Sequence, residues 1–443
     1  MGKMKGEKIP PGYKKTEIGI IPEDWELVKI GDVFNFKNGL NKAKEFFGKG
    51  TSIVNYMDVY QHPGITKKEI KGKVTVTKDE LKAYEVRKGD TFFTRTSETV
   101  EEIGIASTIV DEVNDTVFSG FILRARPKSD RLNLNFRKYC FASQIVRKQI
   151  ISTSSYTTRA LTNGRLLSNV YVPAPKTQEE QCAIARVLSD FDRLIESLDR
   201  LIEKKKLIKK GAMQLLLTGK KRLPGFKGEW VRKKTEIGII PEDWEVRRLG
   251  EVCRINPESL SENTPKEFEF NYIPLESIDK GRLKGFNKLK FENAPSRARR
   301  VVRKGDVLLS TVRPYLLSHF YYNGYPKNTV CSTGFSVLRC KSDLLSKYLY
   351  FHLFFKTINR QIDKILAGSN YPAINSNDVK SFQISLPPLP EQRAIARVLS
   401  DMDAEIEALE KKKEKCEMLK KGAMQSLLTG KVRLKDHIDE VLA

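Results

Sequence analysis

Between Thr177 and Thr218 apolar residues recur at Ile184, Val187/Leu188, Phe191, Leu194/Ile195, Leu198, Leu201/Ile202 and Ile208, with charged residues between them. Heptad spacing kept up over several turns predicts one long amphipathic helix. Thr177-Gln178-Glu179-Glu180 is a capping-box sequence, Pro173 and Pro175 precede it, and Gly219 ends the run. About 42 residues at 1.5 Å each would make a rod of roughly 60 Å. A second pattern runs from about Leu389 to Thr429, with Ile395, Val398/Leu399, Met402, Ile406, Leu409, Cys416 and Leu419 on its stripe. Pro387, Pro388 and Pro390 mark its start and Gly430 its end. Each stripe is too long for one helix to hide alone. We expect the two helices to pack on each other as an antiparallel coiled coil.

The stretches before each helix read differently. Lys14–Lys176 holds alternating or β-branched runs at Val74–Thr77, Asp90–Thr94, Gly104–Val110 and Phe118–Leu123, with shorter helical patterns such as Phe136–Ile151. Lys233–Leu386 carries matching pieces. Arg303-Lys304-Gly305-Asp306 echoes Arg87-Lys88-Gly89-Asp90, Gly334-Phe335 echoes Gly120-Phe121, and Lys347–Leu366 echoes the helical stretch near 136–151. Each stretch predicts a mixed α/β globule of the α+β kind. Gly219–Arg232, rich in Gly, Lys and Pro, reads as a joint.

The match extends to near identity at the edges. Lys14–Phe34 and Lys233–Cys253 agree at 15 of 21 positions, and Thr177–Leu223 and Pro388–Leu434 at 29 of 47, so the chain is an internal duplication. The expected divisions are a tail (1–13), a first globule (14–176), a long helix (177–219), a linker (220–232), a second globule (233–387), a second helix (388–430) and a C-terminal tail (431–443). Leu223-Pro224-Gly225-Phe226 leads from the first helix into the second globule, whereas the second helix ends at Arg433-Leu434. Pro11-Gly12-Tyr13 supplies the missing continuation at the other end of the chain. The repeat closes as a ring, which predicts neighbouring termini and a pseudo-two-fold relation between the copies.

At 443 residues with 40% hydrophobic content the chain can build cores of this size. No stretch approaches the ~20 apolar residues of a membrane span, and the N-terminus has no secretory core. No membrane association and a cytoplasmic location are expected. The six cysteines form no CxxC pair and histidines number four, so no zinc site is expected. The cysteines are expected to be reduced core or seam residues, with a Cys331–Cys340 bridge as the lesser alternative. The formal charge of +24 decides the partner class, because an excess of that size is the footprint of a polyanion binder, most often of nucleic acid.

Catalytic signatures are missing. There is no phosphate-binding P-loop, no dinucleotide fingerprint, no HExxH and no nucleophile elbow. The Asn/Asp-Pro-Pro-aromatic tetrapeptide of adenine methyltransferases is absent too, Asn256-Pro257-Glu258 being the nearest approach. Asp58, Glu69 and Lys71 fit a D…E-x-K spacing that could hold Mg²⁺ in a nuclease. The second copy offers Asp279 without an E-x-K, so solvated surface charge is the better reading. No catalytic residue, cofactor or metal is expected.

Binding remains. Candidate contacts to double-stranded DNA combine arginine, hydroxyls and aromatics, since these groups position phosphates and read bases. In the first copy they are Arg95, Thr96, Ser97, Arg124, Arg126, Ser155, Tyr156, Thr158 and Arg159. In the second they are Arg297, Arg299, Arg300, Arg313, Tyr315, Ser369, Asn370 and Tyr371. Trp25 and Trp244 hold matched positions and are expected to be core anchors.

The frames resemble the specificity subunit of type I restriction–modification systems. The resemblance rests on IGxIPxDWE near the start of each copy, KGD followed by a strand, LPPLPEQRAIARVLSDMD at the helix start and KKGAMQxLLTGKxRL at the helix end, and covers essentially the whole chain. It implies two target recognition domains separated by two long spacer helices, no catalysis, and a DNA target in two parts with one half-site per domain. It further implies that two methyltransferase subunits, and restriction subunits, dock on the helices. Ile184, Leu188, Phe191, Ile195, Leu198, Ile395, Leu399, Met402, Ile406 and Leu409 are the candidate coiled-coil and docking positions.

Overall fold

A computed structural model describes residues 9–156, 158–226, 231–367 and 372–442. The two apolar stripes fold as helices of 39 residues each, Gln178–Leu216 and Leu389–Leu427. The chain divides into two compact units that do not follow the order of the sequence. One comprises Met1–Asp199 with Lys412–Ala443, the other Arg200–Lys411. Each unit therefore owns the N-terminal half of one long helix and the C-terminal half of the other.

In the first unit the strands Phe34–Asn38, Ile122–Pro127, Thr91–Thr94, Ala106–Ile109 and Gly64–Ile65 form a five-stranded sheet in that spatial order. A second sheet pairs Thr116–Phe118 and Gly72–Val74 on either side of Phe47–Val54. The main core joins the five-stranded sheet to the helices through Trp25, Phe93, Phe136, Tyr139, Ile184, Leu188, Leu427 and Leu428. Along the helices Lys420 meets Asp192 at 2.5 Å and Lys413 meets Asp199 at 2.7 Å. Rising numbers on one helix meet falling numbers on the other, so the two segments run antiparallel.

The second unit repeats the plan. Its sheets are Cys253–Ile255, Phe335–Cys340, Val307–Ser310, Phe320–Tyr321, and Asn287–Lys290, Glu269–Ile273, Thr329–Ser332, Ala298–Val302. Trp244, Leu216, Leu217, Tyr348, Ile395 and Leu399 share its main core. Lys205–Glu405 and Lys209–Asp403, both at 2.5 Å, give the same antiparallel order. The stretch 136–151 resolves into two helices, Leu134–Cys140 and Gln144–Thr153, matched by Ser346–Leu353 and Lys356–Leu366.

The Lys-Gly-Asp motif is a structural clamp in both copies. Gly89 and Gly305 turn the chain at φ of 87° and 92°, which a side chain would resist. The buried Asp90 and Asp306 accept the Arg87 and Arg303 amides at 2.8 Å. The predicted match of Gly120-Phe121 to Gly334-Phe335 is one residue out of register. Ile122 pairs with Thr94, and Phe335 with the equivalent Ser310, so Phe121 corresponds to Gly334. Side chains alternate along a strand, and a one-residue slip reverses the face. Phe335 is accordingly buried whereas Phe121 is 65% exposed.

Trp25 and Trp244 are fully buried anchors, as expected. Cys331 and Cys340 do not pair: all six cysteines are free, and the neighbour of Cys340 is Cys253, with sulfurs 3.9 Å apart across paired strands.

Candidate nucleic-acid interface

Strand pairing gathers distant candidate residues of the first unit into one place. Thr96 and Ser97 form a short strand paired with Ala160-Leu161, which pairs in turn with Ser155-Tyr156. The Arg95 carbonyl accepts the Thr162 amide at 3.0 Å, and the Arg95 amide donates to the Phe121 carbonyl at 3.2 Å. Two motifs some sixty residues apart, Arg95–Ser97 and the one holding Ser155-Tyr156, thus share one small sheet beside the Phe121 turn. Ser155, Tyr156, Thr158 and Arg159 are exposed there, Arg95 and Thr96 half-buried, and Ser97 buried.

A cleft of about 400 Å³ opens at this edge, lined by Tyr56, Met57, Tyr60, Glu98, Phe121 and Arg159 among others. The helix Tyr56–Gln61 positions three of these. Its capping box is closed by Asn55 and Asp58, and Tyr56 and Tyr60, one turn apart, stack with ring centroids 5.9 Å apart. The Tyr60 hydroxyl donates to Glu102 at 2.7 Å. Met57, Phe121 and Tyr156 leave large apolar surfaces open to water. Such a wall suits the thymine methyl and base faces, while arginine addresses guanine and carboxylate accepts from the cytosine amino group.

In the second unit the same strand edge is built with other side chains. Val312 bridges to Ala373, Thr311 donates its amide to the Gly334 carbonyl at 2.8 Å, and the Thr333 amide donates to the Arg297 carbonyl at 2.8 Å. Arg313, at φ 48°, and Leu317, at φ 55°, hold the left-handed conformation in the turn Arg313–Leu317. Each costs on the order of 1 kcal/mol, and such strain gathers where a loop must present side chains. Buried Pro314 and an Arg313 amide bond to the Pro372 carbonyl at 2.8 Å fix the turn. Tyr315 is thereby 58% exposed with Leu316 and Arg313 beside it. His319 anchors the following strand from the core, its Nδ1 accepting the Ser310 amide at 3.2 Å, and burial pushes its pKa down to about 3.

Other candidates have work inside the fold. Arg126 grips the Asp90 carboxylate at 2.8 and 2.7 Å, as Arg339 grips Asp306 in the other unit. Arg124 is 8% exposed, lies over the Phe118 ring and donates to the Glu85 carbonyl at 2.6 Å. Both are removed from the candidate interface, because Arg124 is buried and Arg126 is held by the buried Asp90, so their charge is turned inward. Arg299 stacks on Phe291 and donates to the Ala298 carbonyl at 3.0 Å, and Arg300 reaches Ser259 at 3.3 Å. Arg297 is exposed at the edge itself. Ser369, Asn370 and Tyr371 lie outside the described residues. Asp58 caps its helix and Glu69 accepts from Thr66 at 2.7 Å, so both carboxylates of the D…E-x-K pattern serve local turns.

The helix positions divide in the same way. Ile184, Leu188, Leu198, Ile395, Leu399 and Ile406 are buried within the units, and Phe191, Ile195, Met402 and Leu409 are half-buried. The six buried residues leave no side-chain surface for docking, and only the coiled-coil half of the expectation is open to them. Ile208 and Leu419, expected on the stripe, instead face water. They belong to a repeated exposed pair, Leu207-Ile208 and Met418-Leu419, with Leu207 at 67% and Met418 at 62%. One turn on, Gly211 and Gly422 sit within the last two turns of their helices, and a Cβ added at either would meet nothing within 4 Å.

The family model for the type I restriction modification DNA specificity domain matches residues 22–209 and again 241–418. The chain belongs to the type I restriction–modification specificity family. A putative type I restriction enzyme specificity subunit, MjaX, of Methanocaldococcus jannaschii is 30% identical over 437 residues, covering 96% of this chain and 97% of the relative. The MjaVIII specificity subunit of the same organism is 28% identical, covering 94% and 95%. Among solved structures, the S subunit from M. genitalium superposes with a TM-score of 0.53 at 16% identity, covering 91% of this chain and 96% of that one. A chain from a type I restriction–modification assembly gives 0.54 at 18% identity, covering 93% and 99%. These two share the fold. The two matched specificity domains correspond to the two copies of the duplicated frame. Among the described residues no helix is long and apolar enough to cross a membrane.

Proposed function

We propose that this chain reads a two-part DNA target, one half-site through the recognition domain in each unit, and catalyses nothing itself. The observation that carries the reading is one strand edge furnished in two ways on a duplicated frame. The first unit offers Tyr56, Met57, Phe121, Tyr156 and Arg159, the second Arg297, Arg313, Tyr315 and Leu316. Unlike side chains on like backbones select unlike bases, while the charge of +24 supplies affinity that ignores sequence.

Methyltransferase subunits, and with them restriction subunits, dock on the long helices in this reading. Support comes from Leu207-Ile208 with Gly211 and Met418-Leu419 with Gly422. An exposed glycine inside a helix costs about 1 kcal/mol against alanine. Nothing inside either unit requires its small size, whereas a partner helix packed closely against it would.

Selection from random duplexes, with the chain bound to the methyltransferase subunit of its own system, tests the reading. Two separated conserved blocks are expected. A single block, or no enrichment, would overturn it. Leu207→Ser/Ile208→Ser and Met418→Ser/Leu419→Ser should each weaken methyltransferase binding without changing the fold.

A further inference from the structure

We propose that the second unit holds an anion site for phosphate groups, separate from its recognition edge. A cleft of about 570 Å³ lies between the end of the first long helix, the hairpin Arg232–Pro241 and the helix Lys356–Leu366. Lys220, Lys356, Arg360 and Lys364 line it, with Thr218, Thr235 and Thr357 between them and Leu217 and Ile240 beneath. None of the four cations forms an ion pair with a described residue. The one carboxylate on the rim, Glu236, accepts the Gln383 amide at 2.8 Å.

The helix bears its charges against its own stability. Lys356, Arg360 and Lys364 recur every four residues on one face, and like charges at that spacing destabilise a helix. Lys356 also stands in the first turn, where the helix dipole disfavours a cation, whereas Lys364 in the last turn is favoured by it. The N-cap Phe355 supplies no side-chain acceptor, and the first turn has no acidic residue. A bound anion would answer all three, drawing on backbone amides, dipole and side chains together.

The first unit provides an internal comparison. Gln149 and Gln361 occupy equivalent places, each donating to a strand carbonyl, of Tyr171 at 2.8 Å and of Gln383 at 2.9 Å. Counting from them, Lys356, Arg360 and Lys364 correspond to Gln144, Lys148 and Ser152, and Lys220 to Lys431. The first-unit helix is conventionally capped by Ser143, whose hydroxyl accepts the Val146 amide. Two cations replace four, so the site belongs to the second unit and not to the shared frame.

Phosphate could arrive as the DNA backbone, in which case the site rests on the DNA-reading role, or as a free nucleotide, in which case it does not. The full chain and its Lys356→Gln/Arg360→Gln/Lys364→Gln variant, each bound to the methyltransferase subunit of its own system, should be titrated with a fluorescein-labelled random duplex across a salt series. Calorimetry with ATP and with inorganic phosphate forms the second arm. The control is Lys148→Gln/Lys431→Gln. If the source is DNA, the triple variant binds duplex at least about tenfold more weakly, and the slope of log K against log salt becomes shallower by about 2–3. If the source is a nucleotide, ATP or phosphate binding by the wild type is lost in the variant while duplex binding stands. Unchanged binding in both arms overturns the site and leaves the DNA reading intact. An equal loss in the control also overturns it, since net charge alone would then explain the effect. Wild-type failure to bind duplex removes the DNA reading, and the calorimetric arm then decides the site.

Discussion

Arg433 and Glu180 stand 253 positions apart, yet the guanidinium meets the carboxylate at 2.8 and 2.9 Å. The same guanidinium holds Asp24 at 2.7 and 2.8 Å, and Tyr13 donates to the Gly430 carbonyl at 2.9 Å. The second unit repeats the node with Arg222 between Glu391 and Asp243. The segment that reads as a C-terminal tail holds the clasp of the first unit, and each clasp ties a helix end to the start of a globule.

Breaking the clasp strands a buried carboxylate. Arg433→Met is expected to destabilise the first unit by about 3 kcal/mol, and Arg222→Met the second by a similar amount. Adding Glu180→Leu to Arg433→Met should recover part of the loss, because the carboxylate left without its partner is gone. Equilibrium denaturation of these three variants and of Glu180→Leu alone checks both statements, and strict additivity would count against a coupled node.

Arg126 and Arg159 should separate scaffold from interface. Arg126→Ala leaves the buried Asp90 unpaired and is expected to cost about 2–3 kcal/mol of stability. Arg159→Ala, at an exposed position, should change stability by less than about 0.5 kcal/mol and weaken duplex binding. Thermal melts and a binding titration on the same two proteins give the comparison.

Phe121→Ala and Tyr315→Ala should act on different halves of the target. Each side chain is mostly exposed, so folding should be unaffected. Loss of one base or groove contact is worth about 1–3 kcal/mol, roughly five- to 150-fold in affinity. Binding to duplexes mutated in one half at a time would show Phe121→Ala indifferent to changes in one block and Tyr315→Ala to changes in the other. Indifference of both variants to the same block would contradict the assignment.

Acid should weaken the second unit. His319 and His352 are buried, and desolvation pushes both pKa values from 6.5 down to about 3. The unfolded chain therefore binds more protons than the folded one between those values. Stability is fully present above about pH 6.5 and is lost as pH falls toward 3. At pH 5 each histidine accounts for about 2 kcal/mol of that loss. Denaturant titrations at pH 7 and pH 5 should show a smaller difference for His352→Leu than for the wild type by this amount.

The sequence by itself determined the repeat, the two long helices, the excess of positive charge and the family. Near-identical segments and heptad spacing are local signals that need no partner to be read. It also pointed to Trp25 and Trp244 as core anchors, since both copies keep the ring at the matched position. Which arginines face outward was decided only by tertiary structure. Arg124, Arg126 and Arg159 are alike as residues, and it is strand register that turns the first two onto Glu85 and Asp90 and leaves the third in the open. Register likewise exposed Phe121 and buried Phe335, a difference of one step in the ladder. Long-range pairing set the units themselves, because the antiparallel ion pairs from Glu180–Arg433 to Asp199–Lys413 bring the chain's last segment back to its first, and no local pattern encodes that return.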